Sequence, residues 1–208
     1  MNALLAVNGE IDAGVFRQLS ISRFGLVVAT DGAADRLKEL GIEADYIVGD
    51  LDSVSENTRK AVGPERLIFR PSQELNDLEK ALMFCAEKEV RRITLVGVTG
   101  KRFDHSLNNF SVLCRYYRKF ELEIVDQYAR YFLVNESFSY SGTVGQTVSL
   151  LPLGIVEGIT TNGLGFPLKN EPLEIGVREG CSNVMTEKQF SVQVASGVLL
   201  VAISWDNQ

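Results

Sequence analysis

The acids of this 208-residue chain fall where they could do chemistry. Leu26-Val27-Val28-Ala29-Thr30 runs into Asp31-Gly32, and Tyr46-Ile47-Val48 runs into Gly49-Asp50-Leu51-Asp52-Ser53. Short, apolar, β-branched runs of this kind read as strands, and in parallel α/β sheets ligands collect outside the carboxyl ends of the strands. Asp50 and Asp52 stand two apart, so an extended segment points both the same way. Two convergent carboxylates and a third make a hard oxygen site suited to magnesium. Asp77, opening a helix after a strand over 67–69, is the natural third member. An isolated strand-end aspartate is ordinarily a turn former or a helix cap. Several at matching ends repel one another unless a cation compensates, and as a group they point to a metal–phosphate site.

A second constellation is Gly97-Val98-Thr99-Gly100-Lys101-Arg102-Phe103-Asp104-His105-Ser106, which follows a strand and opens a helix. Glycines let backbone approach a ligand, helix N-terminal amides favour anions, and Arg102 is suited to clamping phosphate oxygens. It is not a Walker loop: Gly100-Lys101 is followed by arginine and lacks the upstream glycine. His105 is the one histidine of the chain. A lone histidine at a helix start more often makes a structural hydrogen bond than acts as a base, and Asp104 reads equally well as a cap.

The elements that must position these residues change character along the chain. Strands are expected over 3–7, 26–30, 46–48, 67–69, 93–96 and 122–125, with helices over 33–40, 77–85 and 104–117. Gly41 is a natural stop for the first helix, and Leu78, Ala81, Leu82 and Cys85 share one face of the second. This alternation predicts a doubly wound, mostly parallel α/β domain over residues 1–130. From residue 131 glycines punctuate short runs, and Phe190, Val192 and Val194 alternate with Ser191, Gln193 and Ala195 as in a half-buried antiparallel strand. A small all-β domain, a sandwich or partial barrel, is expected over 131–208.

Bulk properties set limits. The chain is 45% hydrophobic and 23% charged, with 27 acids against 21 bases and a net charge of −6, which fits a globular fold and argues against a nucleic-acid partner. Cys85, Cys114 and Cys181 have no metal-type spacing and read as free thiols, mostly small hydrophobes. No apolar run approaches the roughly 20 residues of a membrane span, and the N-terminus lacks the basic start of a signal peptide. A cytoplasmic location without membrane contact is expected.

Taken together and in order, these segments resemble the thiamine pyrophosphokinase family. The matching pieces are Asp31-Gly32-Ala33-Ala34, Gly49-Asp50-Leu51-Asp52-Ser53, Asn76-Asp77-Leu78-Glu79-Lys80-Ala81 and Gly97-x-Thr99-Gly100-x-Arg102-x-Asp104-His105. Val148 to Leu153, Thr160-Thr161-Asn162-Gly163-Leu164 and Ser182-Asn183 extend the match into the second half. The resemblance implies ATP and thiamine as substrates, Mg2+ as cofactor, and a homodimer with its active site near the subunit interface. It assigns magnesium to Asp50, Asp52 and Asp77, with Asp31 beside them. Asp31, Gly32, Gln73, Gly100 and Arg102 would meet ATP, and Arg102 and Asp104 would serve the phosphate and the hydroxyl. Ser182 and Asn183 would touch the thiamine pyrimidine. The family's Asp-x-Thr-Asp reads Glu74-Leu75-Asn76-Asp77 here, and its glutamate after Ser-Asn is Val184. A tryptophan that some members carry in the last strand falls at Val201, with Trp205 four residues on. Two rival readings remain: an aspartyl-phosphate phosphotransferase with Asp50 as nucleophile, and a catalytically altered nucleotide- or vitamin-binding regulator.

Overall fold

The structure, a computed structural model, describes residues 1–72 and 74–205. Its contacts form two compact units, Met1–Gln127 and a second that begins at Tyr128.

The first unit holds strands β1 (Asn2–Ala6), β2 (Leu26–Thr30), β3 (Tyr46–Gly49), β4 (Leu67–Phe69), β5 (Arg92–Val96) and β6 (Glu121–Val125). All pair in parallel in the order β4-β3-β2-β1-β5-β6. Helices α1 (Val15–Gln18), α2 (Asp31–Glu39), α3 (Glu56–Val62), α4 (Asp77–Glu87) and α5 (Phe103–Tyr116) connect them. Right-handed crossovers running outward from β1 in opposite directions put helices on both faces. Accordingly α2 packs with α3, α4 packs with α5, and α2 and α4 both cover β2 and β3. A sheet covered on both sides needs continuous apolar strands, and every residue of β2 is buried.

The expected strands and the three longer helices are present. Helix α2 stops as its sequence suggests: Gly41 adopts φ +73°, its amide donates to the Lys38 carbonyl at 3.0 Å and that of Ile42 to Leu37 at 2.9 Å, which is the pairing of a Schellman end. The one-turn α1 and the seven-residue α3 were not expected. In α3 only Thr58 is buried, so no apolar stripe marks it; the Ser55 hydroxyl caps it by accepting from the Thr58 amide at 3.3 Å, and Asp35 holds Ser55 in turn.

The second unit is a sandwich of two antiparallel sheets. Strands β7 (Ala129–Val134), β8 (Ser137–Ser141), β9 (Thr147–Pro152), β10 (Ile155–Asn162), β11 (Lys169–Glu174), β12 (Gly180–Val184), β13 (Gln189–Gln193) and β14 (Leu199–Ser204) pair as β12-β9-β14-β7 and β11-β10-β13-β8. The alternating positions Leu199, Val201 and Ile203 of β14 meet Phe190 and Val192 of β13 in one core. Phe138 and Tyr140 pack against Phe190 with ring centroids 6.0 Å away. Among the described residues no helix is long and apolar enough to cross a membrane.

Candidate active site

The strand order of the first unit reverses between β1 and β5, the place where an open α/β sheet leaves a crevice at its carboxyl edge. Here the chains leaving β1 and β5 are tied together: the Gly9 amide donates to the Gly97 carbonyl at 2.8 Å and that of Glu10 to Thr99 at 2.7 Å. Gly97 has φ +70°, and a Cβ on it would lie 2.2 Å from the Val7 carbonyl oxygen, so only glycine fits this approach. Beside the junction opens a cleft of about 500 Å³. Its walls come from segments that follow strands: Asn8 and Gly9, Thr30, Asp50, the start of α4 with Asn76, Asp77 and Lys80, and Gly100, Arg102 and His105 around the start of α5.

Three carboxylates meet at the ends of β2 and β3. Asp31, Asp50 and Asp52 each bring an oxygen within 4.8 Å of the other two. The extended segment expected at Asp50–Asp52 is instead a turn. Leu51 takes φ +64°, a left-handed conformation uncommon for a bulky side chain, and the Asp52 amide faces Asp50 Oδ1 at 3.4 Å. The chain must turn because β3 ends at Gly49, and the turn still lets both acids join Asp31. The Ser53 hydroxyl donates to Asp52 Oδ1 at 2.8 Å and fixes that side chain.

Asp31 is 2% exposed. Burial first, then the negative charges of Asp77 and Asp50, push its carboxyl up to about 6, although the Gly32 amide donates to Oδ1 at 2.9 Å. Asp50 lies below the ordinary carboxylate range, held there by the Asp52 amide first and by the positive charge of Lys80 among smaller effects. The buried Oδ2 of Asp31 has no hydrogen-bond donor among the described residues. Buried polar atoms are rarely left so, and a carboxylate oxygen facing other carboxylates is what a hard cation would satisfy. The residues present therefore fit magnesium.

Asp77 is outside this cluster. It opens α4, and Lys80 Nζ donates to its Oδ1 at 2.9 Å. Asn76, standing where the family has threonine, caps α4 by accepting from the Glu79 amide at 2.9 Å. Its Nδ2 donates to Asn109 Oδ1 at 3.3 Å, and Asn109 donates to the Val98 carbonyl at 2.8 Å. This chain of bonds links the start of α4 to the segment carrying Gly100 and Arg102. Arg102 and Asp104 pair at the rim, 2.5 Å apart and both well exposed. The guanidinium holds the Asp104 carboxyl down to about 2. Gln73 lies outside the described residues. The sequence reading gave no role to Lys80, Asn76 or Asn109; the helix-start position of Asn76 was the available signal.

In the second unit, Ser182 is exposed with φ +56°, and its amide donates to the Ser149 hydroxyl at 3.0 Å. The Asn183 side chain is committed internally: Oδ1 accepts from the Phe166 and Val184 amides at 2.9 and 2.8 Å, and Nδ2 donates to the Phe166 carbonyl at 2.8 Å. Val201 lies in the sandwich core between Leu150 and Phe132 on neighbouring strands, so that position faces inward. The Trp205 ring lies under the Arg130 guanidinium, 5.7 Å from its carbon.

A doubly wound sheet with a carboxylate-lined cleft at its switch point marks the first unit as an α/β ligand-binding domain. The model of the thiamin pyrophosphokinase catalytic domain matches residues 18–125, and that of the thiamin pyrophosphokinase vitamin B1 binding domain matches residues 133–199. The chain belongs to the thiamin pyrophosphokinase family. It is 24% identical over 188 residues to the thiamine pyrophosphokinase of Bacillus subtilis (strain 168), covering 87% of this chain and 88% of that protein. It is 27% identical over 197 residues to thiamin pyrophosphokinase 1 of Caenorhabditis elegans, covering 86% and 79%. Among solved structures, the Bacillus subtilis thiamine pyrophosphokinase superposes with a TM-score of 0.85 at 21% identity over the full length of both chains. The Candida albicans thiamin pyrophosphokinase does so with a TM-score of 0.84 at 20% identity, over 99% of this chain and 89% of that one. These superpositions establish a shared fold.

Proposed function

We propose that the chain is a magnesium-dependent thiamine pyrophosphokinase, transferring the pyrophosphoryl group of ATP to the hydroxyl of thiamine and releasing AMP. The observation that carries this reading is the match, in order, of the catalytic-domain and vitamin-B1-binding-domain models along one chain. The carboxylate cluster of the first unit supplies the chemistry such a reaction needs.

Asp50 and Asp52 would hold the cation with Asp31, and Asp77 adjoins them. When bound, magnesium neutralises phosphate charge and orients the phosphate chain for in-line attack. Gly32 and Gly100 let backbone approach ATP, and Gln73 is assigned to ATP by the family resemblance alone. Arg102 offers a fixed guanidinium to the charge on the transferred group. Asp104, or Asp31, accepts a hydrogen bond from the thiamine hydroxyl and orients it. The hydroxyl oxygen attacks the β-phosphorus, forming the new O–P bond as the bond to the α,β-bridging oxygen breaks. AMP departs with that electron pair. The hydroxyl proton passes to that carboxylate as the new O–P bond forms.

In this reading residues 1–130 form the nucleotide-binding catalytic domain and 131–208 the thiamine-binding, dimerising domain. Ser182 contacts the pyrimidine. Asn183 shapes the wall behind it through Phe166. A homodimer with the site near the subunit interface and a cytoplasmic location belong to the same reading, and three free thiols suit a reducing compartment. The regulator reading leaned on the altered Glu74–Asn76 segment. Asn76 caps α4 and keeps Asp77 at the cleft, so the alteration is no reason to expect lost catalysis.

Product analysis by mass after mixing protein, ATP, magnesium and thiamine tests the proposal. AMP and thiamine diphosphate are expected, with no AMP when thiamine is omitted. Phosphate release without an acceptor, or binding without turnover, would overturn it.

A further inference from the structure

The mechanism leaves one buried charge of the cleft without a task. Lys80 is 5% exposed, yet it lines the cleft beside Asp50, Asp77 and Thr30. An ammonium has three donors, and Asp77 is its one hydrogen-bond partner among the described residues. The position is also a poor one for helix stability, because Lys80 lies in the opening turns of α4, at the positive end of the helix dipole. A buried ammonium with unused donors is costly unless something anionic completes it. In the same lining the Thr30 hydroxyl, fully buried, has no hydrogen-bond partner among the described residues. Two residues with unused donors, Lys80 and Thr30, thus line one cleft, and donors are the complement of phosphate oxygens.

We propose that Lys80 is a further catalytic residue, its ammonium contacting a phosphate oxygen of ATP beside the carboxylate cluster. The inference rests on the reading of the cleft as the ATP site and adds to it a residue that touches the phosphates directly. Asp77 then has a second part: it holds the ammonium toward the cleft before the nucleotide arrives. The bland alternative is that Lys80 only props Asp77 as an ion pair.

A double-mutant cycle separates the two. Affinity for α,β-methylene-ATP, in which the bond to be broken is replaced, and for AMP is measured with magnesium by calorimetry. The proteins are the wild type, Lys80→Met, Asp77→Asn and the double variant, each checked for its helical circular-dichroism signal. With Lys80 on the phosphates, Lys80→Met loses at least tenfold in affinity for the ATP analogue and less than threefold for AMP. The same loss appears when Lys80→Met is added to Asp77→Asn, where no ion pair is left to prop. Wild-type affinity in Lys80→Met, or no further loss in the double variant relative to Asp77→Asn, overturns the proposal. If Lys80→Met does not fold, the comparison of the double variant with Asp77→Asn alone decides. Failure of the underlying reading looks different: the wild type itself then neither binds the analogue nor forms thiamine diphosphate.

Discussion

Replacing Asp31 with asparagine sets the stability of the cation-free protein against its activity, and the two should move in opposite directions. Asp31 is buried among Asp50, Asp52 and Asp77, and its carboxyl is raised from 3.8 to about 6. The folded state therefore binds this proton more tightly than the unfolded state. Stability is fully present below 3.8 and is lost as pH rises through about 6. A difference of about two pH units corresponds to roughly 3 kcal/mol lost in the cation-free protein at pH 7.5 or above. By the same linkage only about 1 kcal/mol is lost at pH 4.5. The asparagine side chain carries no charge to bury, although its amide must still find partners, so Asp31→Asn should be about 1–3 kcal/mol more stable than wild type near pH 7.5. All helices among the described residues belong to the first unit, so urea unfolding in EDTA, followed by the helical circular-dichroism band, reports the unit concerned. The gain should shrink at pH 4.5, and magnesium should stabilise the variant less than the wild type. A variant that is less stable than wild type at pH 7.5 in EDTA, or a difference that does not change with pH, would refute the charge-crowding argument.

Three further outcomes follow from the same geometry. Asp52→Asn should fold normally and lose about a hundredfold or more in turnover, roughly 3 kcal/mol of transition-state stabilisation; a steady-state assay showing near-normal turnover would remove Asp52 from the cation site. Asn76→Ala removes the cap of α4 and its bond to Asn109, and should cost about 1–2 kcal/mol in urea unfolding, with Asn76→Thr recovering part of the loss. Asn183→Leu should destabilise the sandwich by about 2–3 kcal/mol, because two amides and a carbonyl lose their partner; fluorescence of Trp205, the chain's one tryptophan, reports that unit, and an unchanged midpoint would contradict the bonding described.

Much of this was legible in the residues, for identifiable reasons. Aspartates at the ends of apolar runs were legible as a group, because several acids at one sheet edge repel one another unless a cation compensates, whereas one alone would read as a turn former or a cap. Gly41 was legible as a helix stop, and the alternation around Phe190 as a strand with one face in a core. What escaped depends on the fold rather than on local pattern. The left-handed turn at Leu51 has no sequence signature, since leucine rarely adopts it. That Asp31 joins Asp50 and Asp52 while Asp77 turns to Lys80 is decided by how α4 packs against β2 and β3. Lys80 looks like a solvated position in a helix whose apolar face is Leu78, Ala81 and Leu82, and it is buried only because the start of α4 closes the cleft. Asn183 read as a ligand contact, whereas its amide is occupied by the backbone of Phe166 and Val184.

The central claim is that the β- and γ-phosphates leave ATP as one unit. It is tested most directly by incubating the protein and magnesium with thiamine and ATP labelled on the γ-phosphate, then following label and AMP together. The account predicts that label enters thiamine diphosphate in step with AMP, one for one, and that neither forms without thiamine. Label released as free phosphate with ADP as the nucleotide product, or thiamine monophosphate as the labelled product, would contradict it.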